Sequence, residues 1–119
     1  MKRGIILLTH GSKRDQYKTE FYKLVDKVKQ KLPNDLVVGR FLNFSTSSLY
    51  STVEKIKNKG IKKINIVPLF LFAGSHLQDD IPELVTELNN NYEEIEIELC
   101  DHIGSDMRLV ELIKDRIID

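Results

Sequence analysis

The sequence predicts a three-layer α/β fold in which a four-stranded parallel sheet carries helices on both faces. Four apolar, β-branched runs alternate along the chain with four segments whose apolar residues recur every three or four positions. Strands that alternate with helices pair in parallel, because each right-handed crossover lays its helix on a face of the same sheet. No composition break, low-complexity linker or internal repeat divides the chain, so residues 1–119 are expected to form a single domain.

The elements follow in order. Gly4 to Thr9 is a continuous apolar run stopped by His10-Gly11-Ser12, the pattern of a strand buried on both sides. From Ser12, Tyr17, Phe21, Leu24, Val25, Val28 and Leu32 mark one face of a helix that Pro33-Asn34 ends. Leu36 to Phe44 returns to strand chemistry. The hydroxyls of Ser45 to Ser48 then offer N-caps to a helix bearing Leu49, Val53 and Ile56, which Asn58-Lys59-Gly60 closes. Ile61 to Phe72 reads as a third strand running into an apolar loop. Gly74-Ser75-His76 leads from it to a helix carrying Ile81, Leu84, Val85 and Leu88, with Pro82 tolerated in the first turn. After Asn89-Asn90-Asn91, Ile95 to Leu99 alternates as a half-exposed strand, and Leu109, Leu112, Ile113 and Ile117 mark a last helix. A flavodoxin-like strand order of 2-1-3-4 follows, with its topological switch point between the first and third strands.

Composition bounds the function. A 41% hydrophobic and 30% charged chain can build a core. Eighteen basic and eighteen acidic residues cancel, which leaves no field to attract nucleic acid or an anionic membrane. A single cysteine, Cys100, excludes an internal disulfide or thiolate cluster and suits a cytoplasmic setting. The apolar run before His10 is too short for a signal-peptide core, and Ile66 to Ala73 is too short to span a bilayer.

Ligands of such sheets bind beyond the carboxyl ends of the strands at the switch point, where His10 and His76 are expected to meet. Imidazole ligates divalent cobalt, nickel or iron, and near neutrality it also accepts a proton from a substrate nitrogen. Either histidine taken alone reads better as a polar loop residue or a helix cap than as a ligand; two at one mouth reverse that preference. Gly11 and Ser12, at the expected helix start, offer backbone N–H groups to a carboxylate or phosphate, or serve as a plain tight turn. His102, beside Cys100 and Asp101, is not expected in a metal site, since consecutive strand residues face opposite sides.

Two motifs carry a resemblance. Leu7-Leu8-Thr9-His10-Gly11-Ser12 and the stretch Pro68-Leu69-Phe70-Leu71-Phe72-Ala73-Gly74-Ser75-His76-Leu77-Gln78-Asp79-Asp80-Ile81-Pro82 resemble the small class II tetrapyrrole chelatases, which insert cobalt, nickel or iron into sirohydrochlorin. Ile103 to Leu109 is similar to that family's last loop and helix, so the likeness spans nearly the whole chain. It implies a chelatase-like domain in which His10 and His76 are the catalytic and metal-binding residues and Leu71, Phe72, Ala73, Gly74 and Ser75 border the macrocycle. The divalent metal is then a substrate. The likeness also implies a homodimer, because short members are similar to one half of longer, duplicated relatives. Asn43 stands where family members often have glutamate, and Ser47 where they often have proline; Asn43 cannot ionise, although its carbonyl still coordinates or accepts a hydrogen bond.

On this reading Gly11, Ser12, Lys13, Arg14 and Arg40 meet the substrate's carboxylates, and Asn43 holds water or ligand. No Gly-Lys-Thr/Ser phosphate loop is present, so no nucleotide is expected. Two other readings keep the same fold: a carrier that holds a tetrapyrrole or metal without turnover, favoured by Asn43, and a phosphate-binding regulatory domain, which leaves the second motif unexplained.

Overall fold

The computed structural model describes residues 3–42 and 46–117, with backbone alone for residues 46, 47, 76 and 77. Strand β1, Gly4–Thr9, is buried at every position, as its unbroken apolar run predicts. Helix α1, Asp15–Lys31, starts three residues later than the spacing suggests. Gly11 has φ +100°, and Ser12 Oγ accepts the Arg14 N–H at 3.1 Å, so residues 11–14 form a turn that delays the helix. At the other end Pro33 cannot continue the helix, and α1 closes through Leu32.

Strand β2, Leu36–Phe41, is shorter than the expected run to Phe44. Its ladder to β1 ends at the Thr9–Phe41 pair, with one more bond from Leu42 N–H to the Thr9 carbonyl at 2.8 Å. Helix α2 spans Thr46–Lys57. Strand β3, Lys63–Pro68, likewise stops short of Phe72, its ladder to β1 ending at the Leu8–Pro68 pair. A π-helical turn, His76–Asp80, leads into helix α3, Ile81–Asn91, with Pro82 in its first turn. Strand β4, Glu96–Leu99, and helix α4, Met107–Ile117, complete the chain.

The four strands pair in parallel in the order β2-β1-β3-β4 that the sequence predicts. Period-two alternation divides the core. Ile6, Leu8, Ile64 and Ile66 face α2 and α3, where they pack with Val53, Ile56, Ile81 and Leu88. Ile5, Leu7 and Val37 face α1 and meet Phe21 and Val25. Gly39 lets α1 approach β2 closely: a Cβ there would lie 2.7 Å from the Phe21 ring and 2.8 Å from Val25.

Beside α1 an apolar groove of about 470 Å³ runs over Ile5, Leu7, Val67 and Cys100, walled by Leu24 and Val28. Asn65 lies on its floor; its Nδ2 donates to Cys100 Sγ at 3.5 Å, while its buried Oδ1 has no partner among the described residues. Helix α4 does not fill this groove and contributes no buried residue. The molecule is accordingly elongated, 51 × 32 × 29 Å, with a radius of gyration of 15.1 Å; a compact chain of this length would have about 13.5 Å. No helix among the described residues is long and apolar enough to cross a membrane.

Candidate active site

The switch point builds an open cleft. β1 has β2 on one side and β3 on the other, so the chain segments leaving β1 and β3 diverge above the sheet's carboxyl edge. Leu69 N–H donates to the Leu8 carbonyl at 2.8 Å, the last tie before the two segments separate. Between them lies a cleft of about 460 Å³, lined by Thr9, His10 and Tyr17 on one side and by Leu69 to Phe72, Gly74 and Ser75 on the other. His10 is exposed on this cleft, and its ring stacks at a tilt on Phe70, with centroids 5.2 Å apart. Phe72 is 80% exposed on the same loop, an apolar ring offered to solvent.

Tyr17 is the site residue that the sequence does not announce. Its Oη accepts the Gly11 N–H at 3.1 Å and shares a 2.7 Å hydrogen bond with Thr9 Oγ1. One phenol oxygen therefore ties together the residues immediately before and after His10. The ring leans towards Phe41, with centroids 6.4 Å apart, which anchors the clamp in the α1 face of the core. Helical spacing places Tyr17 in line with Phe21 and Leu24 and so reads it as a core residue; the polar handle of tyrosine near a strand end is the feature that could have marked it.

The other expected site residues divide. Leu71, Phe72, Gly74 and Ser75 line the cleft, and Ala73 is exposed beside it. Ser75 leads directly into His76, whose backbone opens the π-helical turn and whose side chain lies outside the described residues, as does Asn43. Lys13 and Arg14 are exposed in the turn before α1. Three of the residues expected to meet carboxylates have partners within the chain. The Gly11 N–H donates to Tyr17 Oη, and Ser12 Oγ accepts the Arg14 N–H. Arg40 does not reach the cleft: its Nε donates to Thr52 Oγ1 at 2.6 Å and a terminal nitrogen to its neighbour's carbonyl, Gly39 O, at 2.7 Å. It shares strand parity with Leu36 and Val38, which packs it against α2. Among the described residues no three His, Cys, Asp or Glu side chains are grouped to hold a metal.

The sequence matches the family described as CbiX over residues 4–119. The chain belongs to the CbiX family. A relative from Sulfurisphaera tokodaii, named sirohydrochlorin cobaltochelatase, is 29% identical over 114 residues, covering 96% of this chain and 90% of its own. Among solved structures, a protein from Marinobacter aquaeolei described as a cobalamin (vitamin B12) biosynthesis CbiX protein superposes with a TM-score of 0.79 at 32% identity, covering 97% of this chain and 93% of that one. The sirohydrochlorin chelatase SirB from Bacillus subtilis subspecies spizizenii, solved in complex with cobalt, gives a TM-score of 0.82 at 26% identity; it matches 98% of this chain, which spans only 50% of SirB. The CbiX likeness runs through both walls of the cleft, from β1 to the loop after β3.

Proposed function

We propose that this CbiX-family protein is a sirohydrochlorin-type metal chelatase, a lyase that inserts divalent cobalt, nickel or iron into sirohydrochlorin or a related carboxylate-rich tetrapyrrole. The observation that carries the proposal is the placement of His10, exposed at the carboxyl end of β1, in a cleft walled by the apolar loop after β3. A tetrapyrrole presents a flat apolar ring and a rim of carboxylates. Phe70, Leu71 and Phe72 suit the ring, and Lys13 and Arg14, exposed at the turn into α1, suit the rim.

Insertion of a divalent ion releases two protons from the macrocycle's pyrrole nitrogens. His10 and His76 are the proposed ligands for the incoming metal and acceptors for those protons, and Asn43 the proposed holder of water or ligand. The scheme uses the metal as a substrate and has no nucleotide step. One copy of the chain leaves the cleft open to solvent, which favours a homodimer as the working form.

The test is an absorbance assay with sirohydrochlorin and cobalt, nickel or iron. Repeated insertion is expected, and His10→Ala should lower it by about 10²–10⁴-fold, the usual worth of a proton acceptor, while the circular dichroism stays unchanged because His10 is exposed. Stoichiometric binding without insertion would make the protein a carrier. Full turnover in both His10→Ala and His76→Ala would remove the histidines from the chemistry.

A further inference from the structure

Tyr17 does less for the core than its place on the helix suggests. On α1 the core is built by Phe21 and Val25, with Val28 and Leu32 packed against them; Tyr17 stands one turn earlier, half-buried, and lines the cleft. A phenylalanine would supply the same ring. What tyrosine adds is one oxygen, and its hydrogen bonds go to the residues that flank His10, to Thr9 Oγ1 at 2.7 Å and from the Gly11 N–H at 3.1 Å.

We propose that Tyr17 is a positioning residue for metal insertion, whose phenol oxygen holds the chain on either side of His10 and thereby aims the imidazole into the cleft. The role rests on the chelatase reading above. Three features of the site carry it. First, the sheet gives His10 no ladder partner, since the pairing of β1 ends at Thr9–Phe41 on one side and at Leu8–Pro68 on the other. The chain then turns at once, with Gly11 at φ +100°. Glycine gives that segment wide conformational freedom, so a tie outside the ladder is needed to hold one imidazole direction.

Second, the tie is anchored at both ends in regular structure. Thr9 is 7% exposed at the end of β1, and Tyr17 lies in the first turn of α1 with its ring tilted against Phe41. Third, the opposite wall meets the ring itself: Phe70 stacks on His10 with centroids 5.2 Å apart. Chain held from the α1 side and ring held from the β3 side together select one orientation, the condition under which a reacting group is kept within the narrow geometry that fast transfer requires. The oxygen therefore acts on the rate of insertion and not on capture of the tetrapyrrole, because it is bonded within the protein while the ring on the cleft is the same in phenylalanine.

The test compares Tyr17→Phe with Ile56→Val, a core change on the other face of the sheet that costs a similar amount of stability. With sirohydrochlorin and cobalt, Tyr17→Phe should lower kcat about 3–10-fold and leave KM for the tetrapyrrole unchanged, whereas Ile56→Val should alter neither. In the free protein at one fixed pH, proton NMR should show the His10 ring resonances, assigned by their loss in His10→Ala, displaced by the Phe70 ring. In Tyr17→Phe they should move towards free-histidine positions while those of His102 stay in place. Unmoved His10 resonances would overturn the positioning role whatever the chemistry, and so would an equal fall of kcat in Ile56→Val. A parent that inserts no metal would overturn the chelatase reading alone, the His10 resonances then deciding the hold on the imidazole by themselves.

Discussion

Tyr17→Phe removes one oxygen and leaves the ring, so it isolates the clamp across His10. Two hydrogen bonds are lost, one at 2.7 Å to Thr9 and one at 3.1 Å from Gly11. A net hydrogen bond contributes about 0.5–1.5 kcal/mol, and a buried group left unpaired costs about 1–3 kcal/mol. Tyr17 and Gly11 are half-buried, so water can replace part of the loss; Thr9 is 7% exposed and has less recourse. The sum is roughly 1–2 kcal/mol, which for a chain of this length lowers Tm by about 4–8 °C. The same freedom passes to the peptide bonds flanking His10. If most of it is expressed as misplacement of the imidazole, insertion slows by about 3–10-fold, since about 1.4 kcal/mol is a factor of ten in rate. Calorimetry and the cobalt-insertion assay read the two effects separately, and a cycle with Thr9→Val should show a coupling of at least about 0.5 kcal/mol. A Tm within about 1 °C of the parent together with an unchanged rate would refute the clamp.

Other perturbations follow from the same geometry. Gly39→Ala would push a methyl to 2.7 Å from the Phe21 ring, so it should destabilise by about 1–3 kcal/mol in a denaturant titration without touching the cleft. Phe72→Ser should leave Tm unchanged because the ring is 80% exposed, yet raise KM for the tetrapyrrole about tenfold, near the lower end of what a buried phenylalanine contributes. The Arg108 guanidinium and backbone N–H hold the Asp106 carboxyl well below the usual carboxylate range. Its folded-state pKa is depressed, so its support for the start of α4 is complete above the ordinary carboxylate value and is lost only as pH falls through the lower, folded one. Amide exchange at residues 108–110 should therefore keep its protection from pH 7 down to about 4.5, whereas Asp106→Ala, which removes the acceptor, should reduce it throughout that range.

The sheet was legible because parallel strands buried on both faces read as unbroken apolar runs, and β1 is such a run along its whole length. His10, Leu71, Phe72, Gly74 and Ser75 were legible for a topological reason: once the order is β2-β1-β3-β4, whatever follows β1 and β3 must share one edge. Strand ends were less legible, since β2 and β3 stop where their ladders to β1 end, at Thr9–Phe41 and Leu8–Pro68, which local composition does not encode. Arg40 was placed at the substrate's carboxylates on its charge, whereas its parity with Leu36 and Val38 turns it towards α2.

The same distinction explains α4. Spacing at 109, 113 and 117 states that one face of the helix needs cover, and it says nothing about which chain supplies it. For α1, α2 and α3 the cover is the chain's own sheet, so the periodicity was enough. For α4 no residue is buried, and the Ile103–Phe70 tie and the Gly104 turn set where the helix starts. The spacing within α4 therefore states a need for cover that the described residues of one copy do not meet, since none of its residues is buried.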